Sequence, residues 1–332
     1  MNINHCSITE AALLSEMMLL SGAVDGYFPH EYLFSTGEDV LSYRLSLMRH
    51  CFTSEKGYCF SLQEGGLFLG LAGLSRLDWD SNYYGHEIYT LHIFFRSKVS
   101  IDSRKEFIAS VIGRCRQSVP IRQVFITLSG AEEHSTQALE FLGFKEQGCS
   151  LTLYASKAMK PYAHLRSERA GMVLDGGDVP EDSIVELACC IQFPSRMYKD
   201  KLYCPDLVRK MHAHWLRQTL SRPLSDRSVK TFVRDRQVVG LAASEKILLP
   251  LGEHKDVRVF GRTLFGFISG QGVHALDSLL RAGLQDALNK CDVIESTVAV
   301  GNNVTIRMLN RASHKIARFN RSMTLTLPEC AC

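Results

Sequence analysis

The feature that most constrains the fold of this sequence is an internal repeat in the order of its predicted helices and strands. In each half, the spacing of apolar residues predicts two helices, a hairpin, a strand, a helix, a strand, a helix and a closing strand. The hairpins are indicated by Glu64-Gly65-Gly66 between two apolar runs and by a turn at Asp235-Arg236. The same order found twice predicts two copies of one α/β architecture.

The predicted elements follow one another in the same way in both halves. In the first half we predict helices at 8–21, 37–51, 103–115 and 134–144, a hairpin at 58–74, and strands at 86–95, 122–130 and 148–156. In the second half we predict helices at 181–193, 205–220, 275–290 and 302–313, a hairpin at 230–244, and strands at 262–269, 292–300 and 317–327. The polar stretch 157–172 is typical of a short linker, so we predict domains at 1–157 and 172–328.

Charge, cysteine usage and the N-terminal segment exclude several classes of function. The formal net charge of +3 and the scattered Lys and Arg residues argue against a nucleic-acid partner. No apolar run reaches the roughly 18 residues that a membrane span needs, and the first residues lack the basic region of a signal peptide. The 11 cysteines show no paired zinc spacing, so we predict reduced thiols, no metal site and a cytoplasmic location.

Four segments carry a resemblance to a known family. The segment LDWDSNYYG (77–85) resembles a motif near the start of bacterial dTDP-fucosamine N-acetyltransferases, and 138–157 resembles the end of their N-terminal part. The segment 195–220 is similar to the one that opens their catalytic domain, and 298–327 to the one that closes it. These proteins belong to the GNAT superfamily of N-acetyltransferases, in which a degenerate half-domain precedes a catalytic one.

This resemblance implies a fold and a function. The implied fold class is α/β, with tandem GNAT-like folds whose mixed, mostly antiparallel sheets are flanked by helices. The implied function is transfer of an acetyl group from acetyl-CoA to a small-molecule amine, and the amino group of a nucleotide-linked sugar is the favoured acceptor. The segment 93–107 contains no glycine, so we expect no cofactor in the first domain. A homodimer is compatible with the resemblance.

The resemblance also implies which residues bind the cofactor. The family places its pyrophosphate turn, [R/Q]-x-x-G-x-[G/A], at the start of a helix, where backbone N–H groups and the helix dipole favour an anion. Here Gln271 and Gly272 match that turn, while His274 stands where the family has a further glycine. Phe267 and Ile268 on the preceding strand, and Val273, complete the predicted binding segment. The alternative is a glycine-rich turn without a ligand.

Asn303 matches an asparagine whose amide bonds to the cofactor in the family. The alternative is that Asn302 or Asn303 caps the helix that follows, a role for which asparagine is well suited. One of the two can cap while the other binds.

The general acid that the family uses is missing. The usual Tyr is replaced by Leu309, which cannot donate a proton. Three explanations remain open: catalysis by proximity alone, a proton from His274, Tyr203 or His314, or a non-catalytic binding protein that kept the fold. Glu245 and Glu295 are both candidates to take the proton from the amine, and the sequence does not choose between them.

Overall fold

The chain forms two compact units. The structure is a computed structural model that describes residues 2–20, 24–52, 58–160, 171–191, 193, 196–249, 257–268 and 273–328, with residues 8, 20, 196, 199 and 273 described by their backbone only. Unit 1 is built from the described residues of Met1–Gly148 and Asn320–Cys332. Unit 2 is built from those of Cys149–Leu249 and Asp256–Phe319.

The elements of the first half follow the predicted order. They are β1 (Asn2–His5), α1 (Ile8–Leu20), β2 (Val24–Gly26), α2 (Gly37–Phe52), β3 (Tyr58–Glu64), β4 (Leu67–Arg76), α3 (Asp78–Tyr84), β5 (Ile88–Arg96), α4 (Ile101–Arg116), β6 (Gln123–Ser129), α5 (Glu133–Phe141) and β7 (Lys145–Ser156).

The elements of the second half repeat that order. They are β8 (Met172–Asp175), α6 (Glu181–Cys190), α7 (Pro205–Ser221), β9 (Arg227–Arg234), β10 (Gln237–Ile247), β11 (Val259–Phe267), α8 (Val273–Lys290), β12 (Val293–Ala299), α9 (Asn303–Arg311) and β13 (Lys315–Thr326). Every predicted helix and strand is confirmed. The additional elements β1, β2, α3 and β8 are all short.

In each unit the strands form a mostly antiparallel sheet. In unit 1 the strand order is β1-β3-β4-β5-β6-β13, and β2 also pairs with β5. In unit 2 the order is β7-β12-β11-β10-β9-β8. The parallel neighbours are β5 with β6 and β11 with β12. The predicted fold class, mostly antiparallel sheets flanked by helices, is therefore confirmed.

The last strand of each sequence half belongs to the unit formed by the other half. Residues Ser150–Ser156 of β7 pair antiparallel with β12 in unit 2. Residues Asn320–Thr326 of β13 pair antiparallel with β6 in unit 1. The bounds 1–157 and 172–328 describe the repeat in the sequence, and as domains they remain a prediction. The compact units differ from them because each unit contains the last strand of the other sequence half.

Helices cover both faces of each sheet because successive side chains of a strand point to opposite faces. In unit 1, Leu71 packs with α1 and α2, whereas Ala72 and Leu74 pack with α4 and α5. In unit 2, Leu241 packs with α6 and α7, whereas Ala242 packs with α8. Among the described residues, no helix is long and apolar enough to cross a membrane.

Candidate functional site

The two parallel strands of unit 2 separate soon after they begin. They pair at Val259↔Val293 and Phe260↔Ile294, and within the described residues these two pairs are the whole of their register. Beyond Phe260, the edge of β11 that faces β12 therefore has no described strand beside it. An unpaired strand edge offers backbone N–H and C=O groups that can pair with an extended ligand.

A bulge in β11 lies at the point where the strands separate. Ala243 is opposite Leu264 and Glu245 is opposite Gly261, so Arg262 and Thr263 together face the single residue Ser244. Arg262 has a φ of 48°, in the left-handed region. A bulge of this kind interrupts the ladder and turns the strand locally. In unit 1, β4 and β5 pair in continuous register from Gly70↔Phe95 to Arg76↔Tyr89.

Backbone hydrogen bonding determines which amides of β11 face the open edge. The Ile268 N–H donates to the Val239 carbonyl at 2.9 Å, towards β10. Because backbone groups alternate between the two edges of a strand, the amides of Phe265 and Phe267 point the opposite way, to the open edge. Of the two residues that the sequence assigns to the binding segment on this strand, Phe267 and Ile268, only Phe267 therefore has an amide that faces the open edge; the Ile268 amide is already used within the sheet.

Side chains cover both faces of the open strand. The rings of Phe265 and Phe267 lie on one face, with the Phe267 centroid 5.8 Å from that of Phe232. On the other face, a Cβ added to Gly266 would lie 2.7 Å from Ile191 and 3.0 Å from the Phe193 ring. Glycine at position 266 thus lets the segment that follows α6 rest directly on the strand.

Helix α8 begins shortly after the open edge of β11. Its first turn contains Val273 and the exposed His274, and no acidic residue. The N-terminus of a helix carries a partial positive charge, and an acid in the first turn would offset it. Gln271 and Gly272 of the predicted pyrophosphate turn, and the side chain of Val273, lie outside the described residues.

The structure separates the roles of the two asparagines at α9. The Asn302 side chain caps the helix, because its Oδ1 accepts a hydrogen bond from the Thr305 N–H at 3.2 Å. Asn303 occupies the first helical position with an exposed side chain. Capping therefore falls to Asn302 and does not engage the amide of Asn303.

Replacing the cap is expected to weaken unit 2 only modestly. Asn302→Ala removes the acceptor for the Thr305 N–H, and the loss of such a cap costs about 0.5–2 kcal/mol. Urea unfolding followed by the fluorescence of Trp215, in a chain with Trp79→Phe, measures this loss. An effect below the error of that measurement would show that water replaces the cap without cost.

Leu309 and His314 lie together at the end of α9. Leu309 is 3% exposed and packs in a core with Leu280, Leu284 and Met308. The His314 N–H donates to the Leu309 carbonyl, and its Nδ1 lies 3.2 Å from the Ala312 carbonyl. Burial lowers the pKa of His314 to about 4, so the ring is neutral at neutral pH and a weak source of protons.

The segment before α7 contributes two tyrosines. Tyr203 is 5% exposed, and its N–H donates to the Asp200 carbonyl at 3.2 Å. Tyr198 lies in a short 3-10 helix, Arg196–Lys199, with a buried hydroxyl that has no partner among the described residues. Burial raises the pKa of Tyr198, so its hydroxyl stays protonated. Tyr198 lies in the segment 195–220 that resembles the start of the family's catalytic domain, but the sequence gave no sign of its buried hydroxyl.

His212 on α7 is buried behind Phe193. The two ring centroids are 5.3 Å apart. Burial lowers the pKa of His212 to about 4, against a hydrogen bond with the backbone of Val208, so this ring is neutral as well. The His212 ring lies one side chain away from Gly266 on the open strand, because Phe193 contacts both.

The two glutamates that are candidates to accept the proton of the amine differ in their surroundings. The Glu245 carboxylate accepts hydrogen bonds from Arg262 and Thr219 and pairs with Arg222, all within 3.0 Å. These three contacts hold both oxygens of the Glu245 carboxylate within the unit. On β12, Glu295 comes directly after Ile294, the last residue that pairs with β11. Its Oε2 lies 4.0 Å from the point where a Cβ added to Gly261 would be. Glu295 thus lies at the closed end of the opening, where β11 and β12 begin to separate, and this position favours it as the proton acceptor.

Comparison with solved structures agrees with this architecture. One similar structure is a tandem GNAT protein of the clavulanic acid biosynthesis pathway, solved without acetyl-CoA. Its sequence is 12% identical, the alignment covers 99% of this chain and 99% of that chain, and the TM-score is 0.54. The fold is that of tandem GNAT proteins. A GCN5-related N-acetyltransferase from Sphaerobacter thermophilus is 10% identical, covers 100% of this chain and 97% of its own, and gives a TM-score of 0.59. No protein-family model and no curated protein matches the sequence.

Proposed function

We propose that this tandem GNAT chain is an acetyl-CoA-dependent N-acetyltransferase with its cofactor site in unit 2. The observation that carries the proposal is the open edge of β11 beyond Phe260, which ends close to the N-terminus of α8. An acyl-CoA needs both features, because its pantetheine arm is an extended chain of amides and its pyrophosphate is an anion.

The cofactor is proposed to run along β11 towards α8. The pantetheine amides pair with the backbone of Phe265 and Phe267, which faces the open edge. The pyrophosphate lies at the start of α8, near the predicted residues Gln271 and Gly272, Val273 and His274. The exposed amide of Asn303 supplies a further hydrogen bond from the start of α9. Ile268 contributes through its exposed side chain, since its amide is bound to Val239.

The reaction forms one bond and breaks another. The neutral amine attacks the thioester carbon, so that an N–C bond forms and the C–S bond breaks. One proton leaves the amine, for which Glu295 at the closed end of the opening is the proposed acceptor. The departing thiolate takes up a proton, and because Leu309 cannot supply it, we propose Tyr198 beside the predicted His274 and Tyr203 as candidate donors. The predicted His314 is disfavoured, because burial lowers its pKa to about 4 and the imidazolium proton is absent at neutral pH.

We propose that the acceptor is a small-molecule amine, and that the amino group of a nucleotide-linked sugar is the first class to screen. The resemblance of 195–220 to the substrate segment of sugar N-acetyltransferases supports this choice. So does Tyr198 in the same segment, whose buried hydroxyl has no partner among the described residues.

Titration with acetyl-CoA tests the cofactor site. We expect the Asn303→Ala variant to bind acetyl-CoA at least about 10-fold more weakly than the unmodified chain, since a lost hydrogen bond to a charged or polar ligand costs about 1.5 kcal/mol. Asn310→Ala is the matched control, because Asn310 is an exposed residue at the other end of α9. Calorimetry measures both.

Release of free CoA thiol then tests turnover. An amine that accelerates thiol release in the presence of acetyl-CoA would support the enzyme, and a panel of nucleotide amino sugars against simple amines would identify the acceptor class. Binding without release for every amine would support a non-catalytic protein instead. The absence of binding at millimolar acetyl-CoA would refute the proposed cofactor site.

A further inference from the structure

Unit 1 contains the same opening as unit 2, but a segment of the chain fills it. Strands β5 and β6 pair in parallel at Ile88↔Gln123, Tyr89↔Val124 and Thr90↔Phe125, and within the described residues no further pair joins them. The other edge of β5 is occupied by β4 as far as Phe95. Strand β2 pairs antiparallel with β5 at Val24↔Arg96, Asp25↔Phe95 and Gly26↔Phe94. It therefore lies on the edge that β6 has left, which corresponds to the edge of β11 that no described residue of unit 2 pairs with.

An ion pair fixes β2 in this position. Arg104, in the first turn of α4, donates from Nη2 to Asp25 Oδ2 at 2.6 Å, and its side chain is 1% exposed. The Ser97 hydroxyl donates to the other carboxylate oxygen, Oδ1, at 2.7 Å. The Asp25 carboxylate thus lies beside a buried guanidinium from the first turn of a helix. Such a position also suits an anionic group of a ligand.

Residues 26 and 27 pack closely against their neighbours in this arrangement. A Cβ on Gly26 would overlap the Phe94 ring, so only glycine lets the two strands approach this closely. The Tyr27 hydroxyl donates to the Asn320 side chain of β13 at 3.2 Å, and Asn320 pairs with Ser129 at the end of β6. The segment 24–27 therefore reaches from β5 to β13, across the opening between β5 and β6.

We propose that residues 24–26 act as a built-in ligand that closes unit 1, so that the chain has one accessible acyl-CoA site and a second, covered one. The ligand class rests on the function proposed for unit 2. The backbone of β2 takes the edge that a pantetheine arm would use, and Asp25 takes the place of a phosphate beside Arg104. Since 93–107 contains no glycine, the uncovered site is expected to bind acetyl-CoA more weakly than unit 2.

Hydrogen exchange on the full chain tests the attachment of β2. In Asp25→Ala we expect at least about 10-fold faster amide exchange at 24–27 and 94–96, with unchanged exchange across β6. Glu31→Ala is the matched control, because it removes an acid paired with Arg44 elsewhere in unit 1. Gly26→Ala is a second variant that is expected to displace β2. Its added methyl group overlaps the Phe94 ring, while the Asp25 carboxylate is kept. Unchanged exchange at 94–96 in both variants, or a uniform rise throughout unit 1, would overturn the proposal.

Binding stoichiometry tests the ligand class. We expect one acetyl-CoA per unmodified chain and two per Asp25→Ala or Gly26→Ala chain. Two per unmodified chain would mean that β2 closes nothing, and one per chain in variants with released β2 would mean that the covered edge is not an acyl-CoA site. If the unmodified chain binds none and the variants bind one, the site proposed for unit 2 fails while the inference about unit 1 holds. If neither binds, both fail.

Discussion

Replacing Arg104 with methionine is expected to lower the free energy of unfolding of unit 1 by about 3 kcal/mol, the lower end of the usual cost of removing one partner from a buried ion pair, because the Asp25 carboxylate left behind is 30% exposed. The guanidinium is fully buried and donates to Asp25, to the Ser135 hydroxyl at 2.8 Å and to the Val99 carbonyl at 3.1 Å. It also lies 4.8 Å from the centre of the Phe95 ring. Methionine fills part of the volume but cannot donate a hydrogen bond, so the Asp25 carboxylate, the Ser135 hydroxyl and the Val99 carbonyl all lose this donor.

The two tryptophans allow the units to be followed separately. The sequence contains two, Trp79 in unit 1 and Trp215 in unit 2, so urea unfolding of a Trp215→Phe chain reports unit 1 alone. Lys105→Met is the matched control, because Lys105 is the neighbouring cation on α4 and its pair with Asp102 is exposed. An exposed pair of this kind contributes about 0–1 kcal/mol.

A double-mutant cycle isolates the contribution of the ion pair. If Asp25 and Arg104 act through each other, Arg104→Met combined with Asp25→Asn is expected to cost less than the sum of the two single changes, since neither charge is then left buried alone. Additive losses, or an Arg104→Met loss no larger than that of Lys105→Met, would show that the guanidinium contributes only packing.

Glu132 is expected to make the stability of unit 1 depend on pH. Its carboxyl is 8% exposed, and Oε1 accepts a hydrogen bond from the Ser129 N–H at 3.1 Å. Burial raises the pKa of Glu132 to about 7 and outweighs the hydrogen bond from Ser129, which lowers it; the nearby Asp25 carboxylate adds a smaller increase, and Arg104 and Ser135 add smaller decreases. The proton is therefore bound more tightly in the folded chain than in the unfolded one.

The sign of the effect follows from this raised pKa. Its contribution to stability is complete below the ordinary glutamate pKa of 4.5 and is lost as the pH rises through about 7. Relative to Glu132→Gln, the unmodified chain is expected to lose about 3 kcal/mol of unfolding free energy between about pH 4.5 and about pH 8. Urea unfolding reported by Trp79 at several pH values measures the difference.

A comparison with matched variants removes the other titrating groups. Burial lowers the pKa values of His92, His212 and His314 to about 4, so these rings gain protons on unfolding and reduce stability as the pH falls below about 6.5. This trend is opposite in sign, and it is shared by all chains compared. Glu133→Gln, at the exposed neighbouring position, is the control. Parallel pH profiles for the Glu132→Gln and unmodified chains would show that Glu132 is ionised in both the folded and unfolded states.

Local sequence pattern was sufficient to predict most elements. The alternation of Val124, Ile126 and Leu128 predicts β6, and the helical spacing within 205–220 predicts α7, because each pattern places apolar side chains on one face. The short strands β1, β2 and β8 were not predicted. Three or four residues are too few to establish a period, and β2 forms only because β5 has an edge to pair with.

The candidate site was predictable in part. The position of the glycine-rich turn before α8 and the asparagines before α9 could be read from the sequence, as could the absence of a tyrosine at Leu309. The division of roles between Asn302 and Asn303, the use of the Ile268 amide by Val239, and the contrast between Glu245 and Glu295 depend on which groups meet in space. Local sequence cannot supply those partners.

Hydrophobic periodicity and turn residues act over a few neighbouring positions, and they were enough to predict that this chain repeats one α/β architecture twice. They do not specify which strands pair. Backbone hydrogen bonds at a strand edge are the same for every residue type, so nothing local directs β7 to β12, β13 to β6, or β2 to the edge of β5. Those pairings depend on the packing of whole sheets and on single tertiary contacts such as that of Asp25 with Arg104. Among the described residues, they leave the edge of β11 unpaired beyond Phe260 in unit 2 and place β2 on the corresponding edge of β5 in unit 1.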